Sequence, residues 1–143
     1  RSATVSLPYR KVTDEEIRGT IRGAQRFIDP TIYDRNIPRV LEEIKRNDGK
    51  LPAEVQVFEF DDHVYASVSA EFFVQFGLRV KEQVYPKRAM IVGSANGIVG
   101  YVPTAEAFTR GGYETTFLGT SKMAPQAGDL LVNCMLRTIR GQR

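Results

Sequence analysis

The chain has 143 residues, 42% of them hydrophobic and 26% charged, enough apolar content for one domain with a real core and too much for a disordered tract. Its 20 basic and 17 acidic residues give a net charge of +3, but the signs are interspersed along solvated faces, which argues against a nucleic-acid-binding surface. The single cysteine, Cys134, excludes an internal disulfide and a cysteine-rich zinc cluster, and no apolar run reaches the roughly 20 residues needed to span a bilayer.

Ala3 to Leu7 alternates and stops at Pro8, the pattern of a short or edge strand. Thr13-Asp14-Glu15-Glu16 is a capping-box pattern, and Ile17, Ile21, Ala24, Phe27 and Ile28 then fall on one helical face that Asp29-Pro30 is expected to end. A second, shorter amphipathic helix carries Val40, Leu41 and Ile44, with Asn47-Asp48-Gly49 as its stop signal. Glu54 to Phe60 and Val64 to Val68 flank Asp61-Asp62 and predict a hairpin. Phe72, Phe73, Phe76, Leu78 and Val80 predict a mostly buried helix, and Ala89 to Val92 a buried strand. Thr104 is placed to cap a short helix through Phe108, a long loop runs from Thr109 to Ala124, and Pro125 opens a final helix with Leu130, Leu131, Cys134, Met135 and Ile139 on its apolar face. Strands alternating with helices, plus a hairpin, predict an α/β fold with a mixed sheet and flanking helices. No linker or repeat divides residues 1–143. The chain opens on Arg1, which reads as a segment of something longer.

The segment Ser94-Ala95-Asn96-Gly97-Ile98-Val99-Gly100-Tyr101-Val102-Pro103-Thr104, with Gly111-Gly112-Tyr113-Glu114 beyond it, follows a strand and has the glycines that place polar side chains at a strand end. Gly93, Gly97 and Gly100 are compatible with a phosphate loop. Against that reading, Val102-Pro103 stands where such a loop would open a helix, and no Lys-Ser/Thr pair follows. Glu71 can be a helix-start carboxylate or a metal ligand, and Tyr101 and Tyr113 can be core-edge tyrosines or site residues. Phe72, Phe73 and Phe76 can be core or line an acyl-chain pocket, and Cys134 reads as a small core residue.

These features, in order, resemble a family. From Val55 onward, the strand pair before Ser69-Ala70-Glu71-Phe72-Phe73, then Gly77, Ala95 through Thr104, Glu106, Gly111-Gly112-Tyr113-Glu114, Met123-Ala124-Pro125 and Ala127-Gly128 resemble the C-terminal part of the catalytic domain of neutral (non-lysosomal) ceramidases and their short bacterial relatives. The resemblance implies a zinc-dependent amidase acting on an N-acyl, ceramide-like amide. It implies Glu71 and Tyr101 as metal ligands and Tyr113 as a further active-site tyrosine. Ile98 stands where the family has the first tyrosine of its motif, and Ala70 where it has glycine. The family's two histidine ligands come from earlier in the polypeptide. His63, the one histidine here, falls in the expected hairpin turn and reads as an exposed turn residue. The zinc site therefore calls for an upstream segment or a second chain carrying two histidines, a lipid-amide substrate, and a setting compatible with secretion or the periplasm. A non-catalytic structural subunit that keeps the fold is the reading from a different class, and a small nucleotide-binding domain is the third.

Overall fold

A computed structural model of the chain describes residues 1–21 and 24–142. Its centre is a four-stranded mixed sheet in the order β1-β2-β3-β5, with β1 at Ser2–Pro8, β2 at Lys50–Phe60, β3 at His63–Val68 and β5 at Arg88–Val92. β4, Glu71–Phe72, and β6, Tyr101–Val102, form a separate two-stranded parallel ladder. The β2–β3 hairpin turns at Asp61-Asp62 as its sequence requires, with Val55 opposite Val68 and Val57 opposite Ala66. β1 is the expected edge strand, antiparallel to β2, and β5 closes the other edge parallel to β3.

Alternation divides the sheet into a covered and an open face. Leu7, Val55, Val57, Val64, Ala66 and Val68 point to one side and are buried. They meet the helices α3, Val74–Val84, and α5, Ala127–Ile139, through Phe76, Val80, Leu131 and Met135. At about 25 cal/mol per Å² of apolar surface removed from water, this layer is the main source of stability. On the other side Phe58, Phe60, Tyr65, Met90 and Val92 are exposed. The stretch expected to be a fully buried strand is thus a half-buried edge strand, because helices cover only one face of the sheet.

Three helix expectations are corrected. The capping box forms, with Thr13 Oγ1 accepting from Glu16 N and Glu16 accepting from Thr13 N, but α1 covers only Asp14–Arg18. Gly19 ends it in the left-handed conformation at φ 69°, so the apolar period through Ile28 is not one helix, and Ile21, Phe27 and Ile28 are exposed. Positions 22 and 23 of that expected helix lie outside the described residues. Asp29-Pro30 begins a helix rather than ending one: Asp29 caps Thr31 N and Pro30 is the first residue of α2, Pro30–Arg46. α2 is therefore longer than expected, carries Pro38 in its interior, and buries Tyr33, Ile37 and Val40 against Phe117 and Leu118. The helix around the phenylalanines starts only at Val74. Phe72 lies in β4, Phe73 is the N-cap and Leu78 is exposed. The last two helices follow expectation, with Thr104 capping α4, Ala105–Arg110, and α5 beginning two residues after Pro125. Among the described residues no helix is long and apolar enough to cross a membrane.

A polar knot ties α2 to the sheet. Tyr9 donates to Glu43 Oε1 at 2.7 Å, Asn47 donates to the Tyr9 hydroxyl at 3.0 Å, and Lys122 Nζ donates to both Glu43 oxygens at 2.8 and 3.1 Å. Burial, reinforced by the bond to Glu43, pushes the Tyr9 hydroxyl up to about 12. Burial alone would raise Glu43, but the Lys122 and Tyr9 hydrogen bonds and the Lys122 charge hold it below its ordinary 4.5. A carboxylate depressed in the folded state adds stability above its unfolded pKa and loses it as pH falls through the folded value. Glu43→Gln is expected to cost about 2 kcal/mol at pH 7, the range for a hydrogen bond to a charged group. It should also remove part of the stability loss expected as pH falls below 4.5, as read from urea midpoints against pH.

Candidate functional site

The glycine-rich loop is stitched across the end of β3. Ser94 N donates to Ala70 O at 2.9 Å, Ala95 N to Val68 O at 3.0 Å, Val99 N to Ser69 O at 2.8 Å and Glu71 N to Gly100 O at 3.0 Å. Two of its glycines sit where a side chain would crowd neighbouring backbone. Gly93 passes so close to Ala70 that a Cβ would lie 3.2 Å from the Ala70 carbonyl oxygen. Gly100, at φ 99°, crosses Thr120, where a Cβ would lie 2.4 Å from the carbonyl oxygen. That crossing lets Tyr101 N donate to Thr120 O at 2.7 Å and feeds the chain into β6.

β4 and β6 pair in parallel with Glu71 directly opposite Tyr101 and Phe72 opposite Val102. In a ladder, directly paired residues carry side chains that share a face a few ångströms apart. Gly111 and Gly112, at φ 79° and 148°, then turn the chain into a 3-10 turn, Tyr113–Thr115. This sets the Tyr113 ring edge-on to that of Tyr101, with centroids 5.9 Å apart and planes at 80°. Glu71, Tyr101 and Tyr113, far apart in sequence, are thus brought together. Glu71 and Tyr101 are half-buried, and Tyr113 is 37% exposed.

The cluster is electronegative. Burial raises the Tyr101 hydroxyl above its ordinary value, and the Glu71 carboxylate, Tyr113 and Glu114 raise it further, with a hydrogen bond from the phenol to Glu71 contributing. One carboxylate and one phenol side by side in such a field are hard oxygen donors of the kind that a divalent cation takes. Among the described residues no group of three or more His, Cys, Asp or Glu comes together to hold a metal. His63 is the first residue of β3, not a turn residue, and pairs with Asp62 at 2.7 Å at the far end of that strand from Glu71.

Of the remaining candidates, Cys134 is buried in the core, where burial raises its thiol. Phe76 is core, stacked on Phe72 at 5.0 Å, whereas Phe72 and Phe73 are partly exposed and line a 240 Å³ cavity with Val74, Leu78 and Ile91.

Sequence reasoning missed Arg10. It is 7% exposed, bonds Thr115 O and Glu16 Oε1, and lies over the rings of Phe108 at 5.1 Å and Phe117 at 5.7 Å. It fastens the turn that carries Tyr113 to the capping box of α1. Its only local sign is Glu16, six residues on, because the partners that matter lie at the other end of the chain.

No protein-family model matches the sequence, and no curated protein matches it. A solved structure, "Ceramidase complexed with C2", is similar at 22% sequence identity and a TM-score of 0.48, over 66% of this chain and 16% of that one. The chain thus spans about a sixth of the length of that structure.

Proposed function

We propose that this chain is the C-terminal portion of a ceramidase-like catalytic domain that hydrolyses an N-acyl amide with zinc, the two histidine ligands coming from an upstream segment or a second chain. The observation that supports it best is the β4–β6 pairing, with Glu71 opposite Tyr101 and the Tyr113 ring against Tyr101. Glu71 and Tyr101 would hold the ion. When bound, zinc brings the pKa of its water to about 7 and polarises a carbonyl. Tyr113, more exposed than its neighbours and anchored by the Arg10-braced turn, would donate its hydroxyl to the amide carbonyl oxygen as negative charge develops there. Glu71 and Glu114 provide the negative field that favours a cation over a phosphate at this end of the loop.

Release of amine from a short N-acyl amide by the polypeptide carrying all ligands, loaded with zinc, tests the reading. Tyr113→Phe is expected to lower kcat about 100-fold with little change in KM, the cost of one oxyanion donor. Zinc-independent turnover would overturn the zinc mechanism, and no turnover from a fully zinc-loaded protein would favour the second reading, a non-catalytic subunit that retains the fold.

A further inference from the structure

A second pocket lies on the open face of the sheet, behind the loop that delivers Tyr101. Thr4 and Glu54 are directly paired across β1 and β2, and Ser69 follows β3 one residue beyond its pair of Val68 with Val55. Asn96, in the left-handed region at φ 62°, folds back over this row and donates from Nδ2 to Glu54 Oε2 at 2.7 Å. The pocket is open to solvent and holds about 280 Å³, and its apolar lining comes from Leu51, Pro52, Ile98 and Val99.

Two polar groups here are underused. Ser69 lines the cavity and is 4% exposed, and its Oγ has no hydrogen-bond partner among the described residues. A buried hydroxyl left unpaired costs free energy that a ligand donor would recover. Glu54 accepts from two neutral amides, Asn96 and Gln56, and forms no ion pair among the described residues.

We propose that this pocket binds the ammonium group of a small primary alkylamine, with Glu54 as counter-ion, Ser69 Oγ as a second acceptor and the aliphatic wall receiving the alkyl chain. A primary ammonium has three donors to offer such acceptors, and a charge-assisted bond to a carboxylate is about twice as strong as a neutral one. Among the described residues no aromatic side chain lines the cavity, which gives it no cage of the kind that selects quaternary ammonium ions. Its volume, at the small end for ligand pockets, suits a chain of a few carbons. The inference needs neither zinc nor hydrolysis, so it stands or falls apart from the proposed activity.

The test is a titration of the metal-free protein with n-butylammonium chloride, followed by the amide resonances of Ser69, Asn96 and Gly97, with n-butanol and tetramethylammonium as controls. Saturable shifts with n-butylammonium alone are expected. Glu54→Gln should weaken binding about tenfold or more, as loss of a charge-assisted partner requires. Ser69→Ala should weaken it severalfold while leaving the Tm of the ligand-free protein unchanged or higher. Absence of saturable shifts, equal binding of either control, or undiminished binding by a folded Glu54→Gln variant would overturn the proposal.

Discussion

Glu71→Gln is expected to lower zinc affinity by more than about 100-fold, because even second-layer partners of a metal site cost 10- to 100-fold and Glu71 is proposed as a direct ligand. Hydrolysis should fall with zinc occupancy. The substitution is nearly isosteric, its amide oxygen can still accept from the Tyr101 hydroxyl, and the backbone ties of Glu71, its N–H to Gly100 O and its strand pairing with β6, are untouched. The circular dichroism spectrum and Tm of the zinc-free variant should therefore match the parent. If instead the variant binds zinc normally but melts early, Glu71 is a structural carboxylate at the head of the segment leading into α3.

Gly100→Ala is expected to carry the largest stability cost in the loop. An added Cβ would stand 2.4 Å from Thr120 O, 2.8 Å from its carbonyl carbon and 3.3 Å from its Cα, all backbone atoms that no rotamer change can move aside. The left-handed φ of 99° adds strain of its own. Together these predict a loss of about 3 kcal/mol, or roughly 10 °C in Tm for a domain of this size. Because Tyr101 N bonds the same Thr120 carbonyl, the shift should displace the proposed ligand as well. Gly97→Ala is the control: its φ is 123°, but its Cβ would approach only Ser69 Cβ, at 4.0 Å, so only the backbone strain of about 1–3 kcal/mol applies. Equal melting of the two variants would show that the Thr120 crossing is not what requires Gly100.

What could be read from the sequence was local. The hairpin followed from alternation on both sides of Asp61-Asp62, and the capping box and the Thr104 cap formed as their side chains dictate. Errors arose where one signal has two physical meanings. Asp29-Pro30 is as good a helix start as a stop, since a capping Asp and a first-turn Pro satisfy the same unpaired amides. Apolar spacing through Ile28 could not reveal that Gly19 ends α1 in the middle of the pattern. Strand Ala89 to Val92 is apolar throughout, but composition does not tell how many faces of a sheet are covered, and Met90 and Val92 are exposed here.

The candidate site divides in the same way. Glu71, Tyr101 and Tyr113 were named from motif order, yet the two-residue β4–β6 ladder that sets Glu71 opposite Tyr101 is a pairing no periodicity could announce. Arg10 and the Ser69 hydroxyl, which has no partner among the described residues, were invisible for the same reason. The partners of Arg10 lie 105 residues away at Thr115 and against two distant phenylalanines, and an unsatisfied hydroxyl exists only once the chain has closed over it.

The central claim is that Glu71 and Tyr101 bind one metal ion and that Tyr113 stands beside it without binding it. Zinc content per chain after equilibration at limiting free zinc, measured on the polypeptide that carries all four ligands, tests this directly. Glu71→Gln and Tyr101→Phe are expected to lose the ion, while Tyr113→Phe keeps it. Retention of zinc by a folded Glu71→Gln or Tyr101→Phe variant, or its loss from Tyr113→Phe, would contradict the assignment.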